Sequence, residues 1–449
     1  MVKIHHALQK IKNSPAQIIS NTAILAVASA IGHKFRQRKL GPVETFQLFL
    51  IQVLNGNIAC NALRHLAGMK CTAVAYCQAR ERMPLELLRR LLYETAQSFR
   101  DVTEDSCLWL GHRLFHIDGS GFSMPDTESL QKAFGQPAGQ KKGCGFPLSH
   151  MLLMTDAVTG AIMDIIASPM RTHEMAKVSQ VHPTLRPGDV LVGDRGFCSY
   201  AHLALLLREN LHGLMRIHQR VIVNFTPGRP HVKGNATKRQ KGMPRSQWLR
   251  CIGTHDQVVK WFKPKAKARW MSGEDHALLP ESITVRELEY RIETPGYRTR
   301  HVTLVTTLLD GEKYTAEDLA ENYRCRWQIE VNLRHLKQTM GMDVLRCKTP
   351  AGVMKEMYMF ALVYNLVCCV IYKAAQRQGV PPDRISFIDA LRWLQNANAE
   401  TKLIDLIINP YRPGRFEPRA IKRRPKQYAL LNQPRDVLRN RLINTNVTA

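Results

Sequence analysis

The sequence has no Cys-x-x-Cys pair, although it contains eleven cysteines. An odd number of cysteines without paired spacing excludes a disulfide framework or a zinc site and predicts reduced thiols in a cytosolic protein. The N-terminus, Met-Val-Lys-Ile-His-His-Ala, lacks the long apolar core of a signal peptide. The most apolar stretch, Tyr358 to Tyr372, is too short to span a bilayer and has Asn365 at its centre, so it predicts a buried helix.

Acidic residues are scarce relative to basic ones. The chain has 64 Lys and Arg against 37 Asp and Glu, a net charge of +27 over 449 residues. This excess predicts a polyanionic partner, most commonly nucleic acid. An anionic membrane surface is the rival partner, but the sequence has no basic amphipathic anchor. The hydrophobic share of 45% predicts a globular chain, and its length predicts roughly two to four structural units.

The N-terminal hundred residues are predicted to be helical. Two short helices, Ile58 to Ala67 and Thr72 to Arg82, flank Gly68. They fit a helix-turn-helix motif, and they fit an ordinary α-hairpin equally well. In the first interpretation the residues that face DNA are Gln78, Arg80 and Arg82.

The pattern changes near residue 110, where short apolar strands alternate with helices. The strands Arg113 to Asp118 and Asp189 to Asp194 each end on an acid. A hairpin and a helix, His173 to Leu185, are predicted between them, and a helix and a further strand follow. Three mostly antiparallel strands, then helix, strand, helix and strand, predict a mixed α/β fold.

A basic segment interrupts this alternation at residues 219–300. From Arg220 to Trp270 it carries thirteen Lys or Arg and one acid. Ser282 to Ile292 and Tyr297 to Leu309 are predicted strands, so we expect a β-rich insertion. A basic surface that bears aromatic rings suits phosphates and unstacked bases. Packing inside the insertion is the alternative role for each of its tryptophans, Trp248, Trp261 and Trp270.

A helix is predicted from Thr315, a suitable N-cap, to Met340. At about 100° per residue, four of its side chains fall on one narrow stripe: Tyr323, Arg326, Glu330 and Lys337. A carboxylate flanked by two cations and a phenol suits a site that holds a metal ion and grips a polyanion. A solvated face of ion pairs is the alternative interpretation.

Asp118 and Asp194 at strand ends and Glu330 on a helix can meet in space although they are distant in sequence. Three converging carboxylates repel one another unless divalent cations lie between them. Oxygen ligands suit Mg²⁺ or Mn²⁺. Two such ions clamp the attacking and leaving oxygens of a phosphoryl displacement. The three acids and the basic surface together predict a metal-dependent enzyme acting on nucleic acid.

The spacing within the predicted helix resembles a known signature. Tyr323, Arg326, Glu330 and Lys337 match the YREK signature of the insertion-sequence-4 family of bacterial DDE transposases. His116-Ile-Asp118-Gly-Ser resembles the first catalytic Asp region of that family, and Gly193-Asp194-Arg-Gly-Phe resembles the second. The resemblance covers residues 110 to 375 well, and the basic tail from Glu417 to Lys426 is also similar to family C-termini.

The resemblance implies an α/β fold with an RNase H-like catalytic core. It implies that Asp118, Asp194 and Glu330 hold two Mg²⁺ or Mn²⁺ ions per active site. The side chains expected to contact DNA in this region are Tyr323, Arg326, Lys337 and Arg195. Family members also stack a flipped base on a Trp of the insertion, for which Trp248, Trp261 and Trp270 are candidates.

The implied reaction is cut-and-paste transposition in the bacterial cytoplasm. It comprises hydrolytic nicking, attack of the freed 3′-hydroxyl to form a hairpin, hairpin resolution and strand transfer. The implied partners are the double-stranded DNA of transposon ends and target, and a second copy of the chain in a homodimer. A catalytically idle DNA-binding regulator derived from a transposase is the alternative, and a nuclease without strand transfer is a third interpretation. Nothing predicts a membrane.

The expected organisation has five parts. A helical DNA-binding domain occupies residues 1–105, and the first part of the RNase H-like core occupies 106–218. The β-rich insertion spans 219–300. The second part of the core, with the Glu helix, spans 301–376. A helical C-terminal region and basic tail span 377–449.

Overall fold

The centre of the molecule is a mixed sheet built on the two short strands that lead to the acids. The computed structural model describes residues 19–410, except 36–38, 69–70, 104–106, 138, 140, 142, 233–242, 293–300 and 398–401, together with residues 433, 437 and 440. The basic tail, the expected turn at 294–296 and the N-terminal eighteen residues therefore lie outside the described residues.

Nine strands form one continuous sheet in the order β3-β2-β1-β4-β5-β9-β8-β7-β6. The first five are β1 (Leu114–Ser123), β2 (Leu148–Asp156), β3 (Ile162–Pro169), β4 (Val190–Gly193) and β5 (His212–Arg216). The β1 strand is antiparallel to β2 and parallel to β4, and β4 is parallel to β5. This part of the sheet is the mixed α/β arrangement of an RNase H-like core, as predicted.

The strands of the predicted insertion extend the same sheet. They are β6 (Gln247–Gly253), β7 (Asp256–Phe262) and β8 (Ser282–Arg291), followed just past the predicted bound of 300 by β9 (His301–Thr306). All their contacts are antiparallel, and β9 joins the central strands through the pair Leu214 and Thr306. The insertion is therefore joined to the core by a backbone hydrogen-bond ladder as well as by side-chain packing.

Helices cover the sheet on both faces. The N-terminal helices are α1 (Asn21–Ala30), α2 (Pro42–Leu54), α3 (Leu63–Leu66), α4 (Ala73–Arg82) and α5 (Leu85–Val102). Within and after the sheet lie α6 (Glu128–Phe134), α7 (Tyr200–Arg208), α8 (Gly273–Ala277), α9 (Ala316–Cys325), α10 (Trp327–Arg334), α11 (Pro350–Gln378) and α12 (Phe387–Asn396). The helix predicted at His173 to Leu185 is wrong in type, because two 3-10 helices, Glu174–Gln180 and His182–Thr184, occupy it. Pro183 removes a backbone donor there and prevents one continuous α-helix.

The apolar stretch around Asn365 forms α11, which is the core helix that was predicted. In the described part of the chain it alone is long and apolar enough to cross a membrane by length and composition, and 94% of that window is buried inside the protein. Asn365 is fully buried. Its amide accepts a hydrogen bond from the Ile162 N–H at 2.7 Å and donates one to the Ile162 carbonyl at 2.8 Å. This pair fastens α11 to the edge strand β3.

The N-terminal helices pack on α11, and this packing changes the expectation for one arginine. Arg80 does not face outward with Gln78 and Arg82, which are exposed. Its guanidinium lies 3.7 Å from the ring centre of Phe49 and donates a hydrogen bond to Gln52 at 3.0 Å. The prediction that Arg80 faces DNA is therefore wrong, because internal stacking and hydrogen bonding use its charge.

Candidate active site

Asp118 lies in the middle of β1, and the prediction that the strand ends there is wrong. Strand pairing with β2 continues to Ser123, because the backbone ladder outweighs the poor strand propensity of Gly119 and Gly121. Pairing with β4 stops earlier, at Ile117 and Gly193. The next residues on these neighbouring parallel strands are Asp118 and Asp194, so the two acids come level where β4 ends.

Gly119 lies directly under the carboxylate of Glu174. A Cβ atom built there would lie 2.0 Å from the carboxylate of Glu174, which belongs to the first 3-10 helix. The Glu174 carboxylate also lies 3.5 Å from the His150 ring nitrogen Nδ1. No motif in the sequence marks Glu174, which is an isolated acid in that segment.

The predicted single helix from Thr315 to Met340 is interrupted at Arg326. Thr315 caps α9 as expected, with its hydroxyl oxygen accepting from the Asp318 N–H. Arg326 then separates α9 from α10, and residues His335–Thr339 form a π-helical turn. Arg326 keeps helical backbone angles, φ −50° and ψ −31°, so the predicted helical course from Thr315 to Met340 is confirmed and only its regularity is lost. The irregular residue and the wider turn alter the directions of side chains along the segment, which periodicity alone does not predict.

Arg326 connects the acids of β1 and α10. Its Nη1 atom lies 3.6 Å from Oδ2 of Asp118, and its Nη2 atom donates to Oε1 of Glu330 at 3.1 Å. The second Asp118 oxygen, Oδ1, accepts from the Gly119 N–H at 2.8 Å. The Tyr323 ring centre lies 5.7 Å from the Arg326 guanidinium carbon. Glu330, Arg326 and Tyr323 thus gather at Asp118 despite the interrupted helix.

Lys337 reaches the same strand from the π-helical turn. Its ammonium group donates a hydrogen bond to the Ser120 hydroxyl at 2.9 Å. Ser120 follows Asp118 by two residues, so the two side chains share one face of β1. That period-two relation is visible in the sequence, but Ser120 was not among the predicted site residues.

Burial and charge shape the acidity of these groups. The pKa of Asp118 is raised to about 6, mainly because burial disfavours its charged form. The Gly119 N–H and the Arg326 charge oppose that rise, while Asp194 and Glu330 add to it. Burial also lowers the pKa of Lys337 and raises the pKa of Tyr323.

The donor chemistry of the three acids fits a hard divalent cation. Asp118, Asp194 and Glu330 offer carboxylate oxygens, which Mg²⁺ and Mn²⁺ prefer. Among the residues that the structure describes, no group of three His, Cys, Asp or Glu side chains is close enough to hold an ion as placed. Two of the three acids are instead drawn onto the Arg326 guanidinium.

The three candidate tryptophans occupy different surroundings. Trp261 lines a cavity of about 310 Å³ with Cys198, Arg220 and Arg245, next to the loop that follows Asp194. Its indole N–H donates to the buried Glu287 at 2.8 Å, which fixes the ring. Trp270 packs against the apolar core between α7 and the sheet. The Trp248 indole nitrogen is buried without a hydrogen-bond partner among the described residues.

Other predicted DNA contacts differ in exposure. Arg195 is exposed beside Asp194 and donates to Gln219 at 2.8 Å. Arg82 is exposed on α4 and lines a cavity of about 480 Å³ with His33 and Lys34. Trp327, at the start of α10, is 60% exposed, which is unusual for so large a side chain. No pattern in the sequence distinguished Trp327 from a core residue.

Comparison with known proteins places these residues in a family context. Residues 109–366 match the family model described as transposase DDE domain. Over 374 residues the chain is 25% identical to "Transposase InsG for insertion sequence element IS4" of Escherichia coli (strain K12), covering 79% of this chain and 77% of that protein. A match of 50 residues at 48% identity, 11% of this chain, covers 13% of "Transposase for insertion sequence element IS421" of Escherichia coli.

Among solved structures, one similar chain comes from the cryo-EM structure of the piggyBac transposase synaptic complex with hairpin DNA. The alignment covers 86% of this chain and 80% of that chain, with a TM-score of 0.44 and 12% sequence identity. A likeness at this level assigns no residue and no activity.

Proposed function

The chain belongs to the transposase DDE domain family and is of the insertion-sequence-4 type. We therefore propose that it excises its own insertion sequence from DNA and inserts it elsewhere. The proposed active site for this reaction is made by Asp118, Asp194 and Glu330. Family membership carries the general activity, which is transposition through DNA cleavage and strand transfer with divalent metal ions. The observation that supports the proposed site best is the Arg326 guanidinium, which contacts carboxylates of both β1 and α10.

The three acids would hold the metal ions, Mg²⁺ or Mn²⁺, two per site. When bound, such ions stabilise the attacking and leaving oxygens of a phosphodiester under attack. Asp118 and Asp194 come from neighbouring strands of one sheet, so their spacing is fixed by the backbone ladder. Glu330 comes from a helix packed across that sheet and closes the site from one side.

The cations around the acids would bind the DNA backbone. Arg326 suits a phosphate because its planar fork donates two parallel hydrogen bonds. Lys337 offers a point charge, which Ser120 holds toward β1. Arg195 is exposed beside Asp194, and the hydroxyl of Tyr323 is a further phosphate donor. The net charge of +27 supports an extended contact with double-stranded DNA beyond this site.

Among the tryptophans, Trp261 has the best surroundings for an unstacked base. Its cavity of about 310 Å³ has an aromatic wall and two arginines at its edge. A base stacked there would leave its phosphates near cations. Trp270 and Trp248 are half-buried like Trp261, but neither lines this cavity. We propose that a hairpin intermediate, if the chain forms one, uses the Trp261 cavity for the displaced base.

The N-terminal helices are proposed to bind the terminal inverted repeats, with Arg82 as one contact. Cleavage of two ends in one complex requires two active sites, so we propose a homodimer on paired transposon ends. This activity would take place in the bacterial cytoplasm, where the chromosomal DNA lies.

The test of the site is the variant Glu330→Gln, which removes one charge at nearly constant shape. We expect it to abolish cleavage of DNA that carries the element's ends, because a neutral amide is a poor ligand for a hard cation. Binding of the same DNA, measured by fluorescence anisotropy in the absence of divalent metal, should remain close to wild type. The matched control is Glu321→Gln, an exposed acid on α9 that pairs with Arg324.

Each outcome has a clear meaning. Unchanged cleavage by Glu330→Gln would overturn the three-acid assignment. If the chain is a catalytically idle regulator, the wild type will also bind the ends without cleaving them. A nuclease without strand transfer would nick the ends but give no joined product when target DNA is added.

A further inference from the structure

We propose that Arg326 makes metal binding depend on DNA. In the free protein its guanidinium is the counter-ion of Asp118 and Glu330, and the guanidinium leaves these acids when it binds a DNA phosphate. The inference rests on the proposed function, because it takes these two acids as metal ligands. It adds that one arginine decides when those ligands are free. Cleavage would then be confined to the DNA-bound protein.

The argument begins with the carboxylate oxygens that Arg326 faces. Its two terminal nitrogens lie 3.6 Å from Asp118 Oδ2 and 3.1 Å from Glu330 Oε1. Asp118 Oδ1 already accepts from the Gly119 N–H. The guanidinium therefore lies on Asp118 Oδ2 and Glu330 Oε1, where it competes with any ion that would bridge the two acids through these oxygens.

The surroundings make this contact stronger than an exposed ion pair. The side chains of Arg326 and Asp118 are only 12% and 19% exposed, so water screens their charges little. Arg326 lies between α9 and α10, and its Nε atom is buried without a hydrogen-bond partner among the described residues. The guanidinium thus has the two carboxylates and the Tyr323 hydroxyl as its polar partners.

A phosphodiester supplies the alternative partner. It offers two oxygens with the geometry that matches an arginine fork. Lys337 and Arg195 lie around the same acids and can hold a DNA backbone within reach of Arg326. Once the guanidinium turns to the phosphate, the facing oxygens of Asp118 and Glu330 become available to a cation. Linkage then requires that metal also tightens DNA binding by the same factor.

The experiment measures Mn²⁺ binding to the purified full-length chain by electron paramagnetic resonance, with and without a short duplex of mixed sequence. In the wild type we expect the duplex to tighten Mn²⁺ binding by about tenfold, within the usual range for coupled sites. In Arg326→Ala we expect tighter Mn²⁺ binding without DNA and little further gain when DNA is added. Subtracting the gain seen in that variant removes any contribution of phosphates that ligate Mn²⁺ directly.

The control variant is Arg324→Ala, which removes an exposed arginine two residues away that pairs with Glu321. It should keep the wild-type coupling. Arg326→Lys retains the charge but loses the fork, so it should hold the acids less firmly and give intermediate coupling. Should Arg326→Ala fail to fold, the wild-type arm and Arg326→Lys still decide the matter.

Two kinds of failure are distinguishable. If Asp118→Asn and Glu330→Gln bind Mn²⁺ as the wild type does, the proposed metal site itself is overturned. If those variants lose Mn²⁺ but the duplex leaves wild-type Mn²⁺ affinity unchanged, the site stands and the role of Arg326 is overturned. Equal coupling in wild type and Arg326→Ala would overturn that role too.

Discussion

Replacing Asn365 with leucine should destabilise the protein strongly, although it makes an apolar helix more apolar. The Asn365 amide satisfies both the N–H and the carbonyl of Ile162, and it is fully buried. Leucine has a similar branched shape and can fill the space. It leaves the Ile162 N–H and carbonyl buried without partners, because β3 is the edge strand and no further strand pairs with its outer side.

The size of the loss follows from those two groups. A buried polar group that loses its only partner costs about 1–3 kcal/mol, so the pair predicts a loss of about 2–6 kcal/mol. That is a large fraction of the roughly 5–15 kcal/mol that stabilises a typical domain. The control is Asn396→Leu, since Asn396 is exposed at the end of α12 and donates to its own helix.

The assay is urea denaturation followed by circular dichroism, combined with amide hydrogen exchange of the β3 peptide. We expect a lower denaturation midpoint and faster exchange at residue 162 and its neighbours in Asn365→Leu, and neither change in the control. A variant with wild-type midpoint and wild-type exchange would refute the view that this amide fastens α11 to the sheet.

Two more predictions concern charge. Lys337→Ala should weaken binding to mixed-sequence duplex DNA and reduce the salt dependence of that binding by about one ion. The control Ser120→Ala should retain the salt dependence of the wild type. An unchanged salt dependence in Lys337→Ala would contradict the phosphate contact. His182 and His202 stack in the core, where burial lowers their pKa values to about 3 and about 4. An unfolded histidine binds its proton near pH 6.5, so the thermal stability of the protein should fall as pH drops from about 6.5 toward 4. The stability of His182→Gln should fall less steeply over this range. Parallel pH profiles of the wild type and His182→Gln would contradict the buried histidines as the cause.

The sequence predicted elements best where local pattern and tertiary packing agree. The apolar runs around β2, β3, β4 and α11 appear at the expected places, because burial on both sides imposes near-continuous hydrophobicity. The mixed α/β class followed from their order. The spacing of Tyr323, Arg326, Glu330 and Lys337 also identified side chains that the fold brings to β1 or to each other.

The rest depends on contacts that no single segment encodes. β1 continues through Gly119 and Gly121 because β2 pairs with it, although glycine favours a turn there. The helix becomes irregular at Arg326, whose guanidinium contacts Asp118, a residue far away in sequence. Arg80 turned inward because Phe49 and Gln52 offered it stacking and a hydrogen bond. Each of these outcomes depends on a partner from another element.

The continuous sheet also imposes an order on strand pairing as the chain is synthesised. Strands β1 to β5 emerge early and can pair at once, but β5 must wait for β9 to cover its outer edge, as the Leu214 and Thr306 pair shows. Until then that edge is open to pairing with other chains. Asp118 and Asp194 also precede Glu330 in the chain and are synthesised before it. On the proposed assignment, a truncated chain that stops before α10 carries Asp118 and Asp194 without Glu330, and we expect it not to cleave DNA.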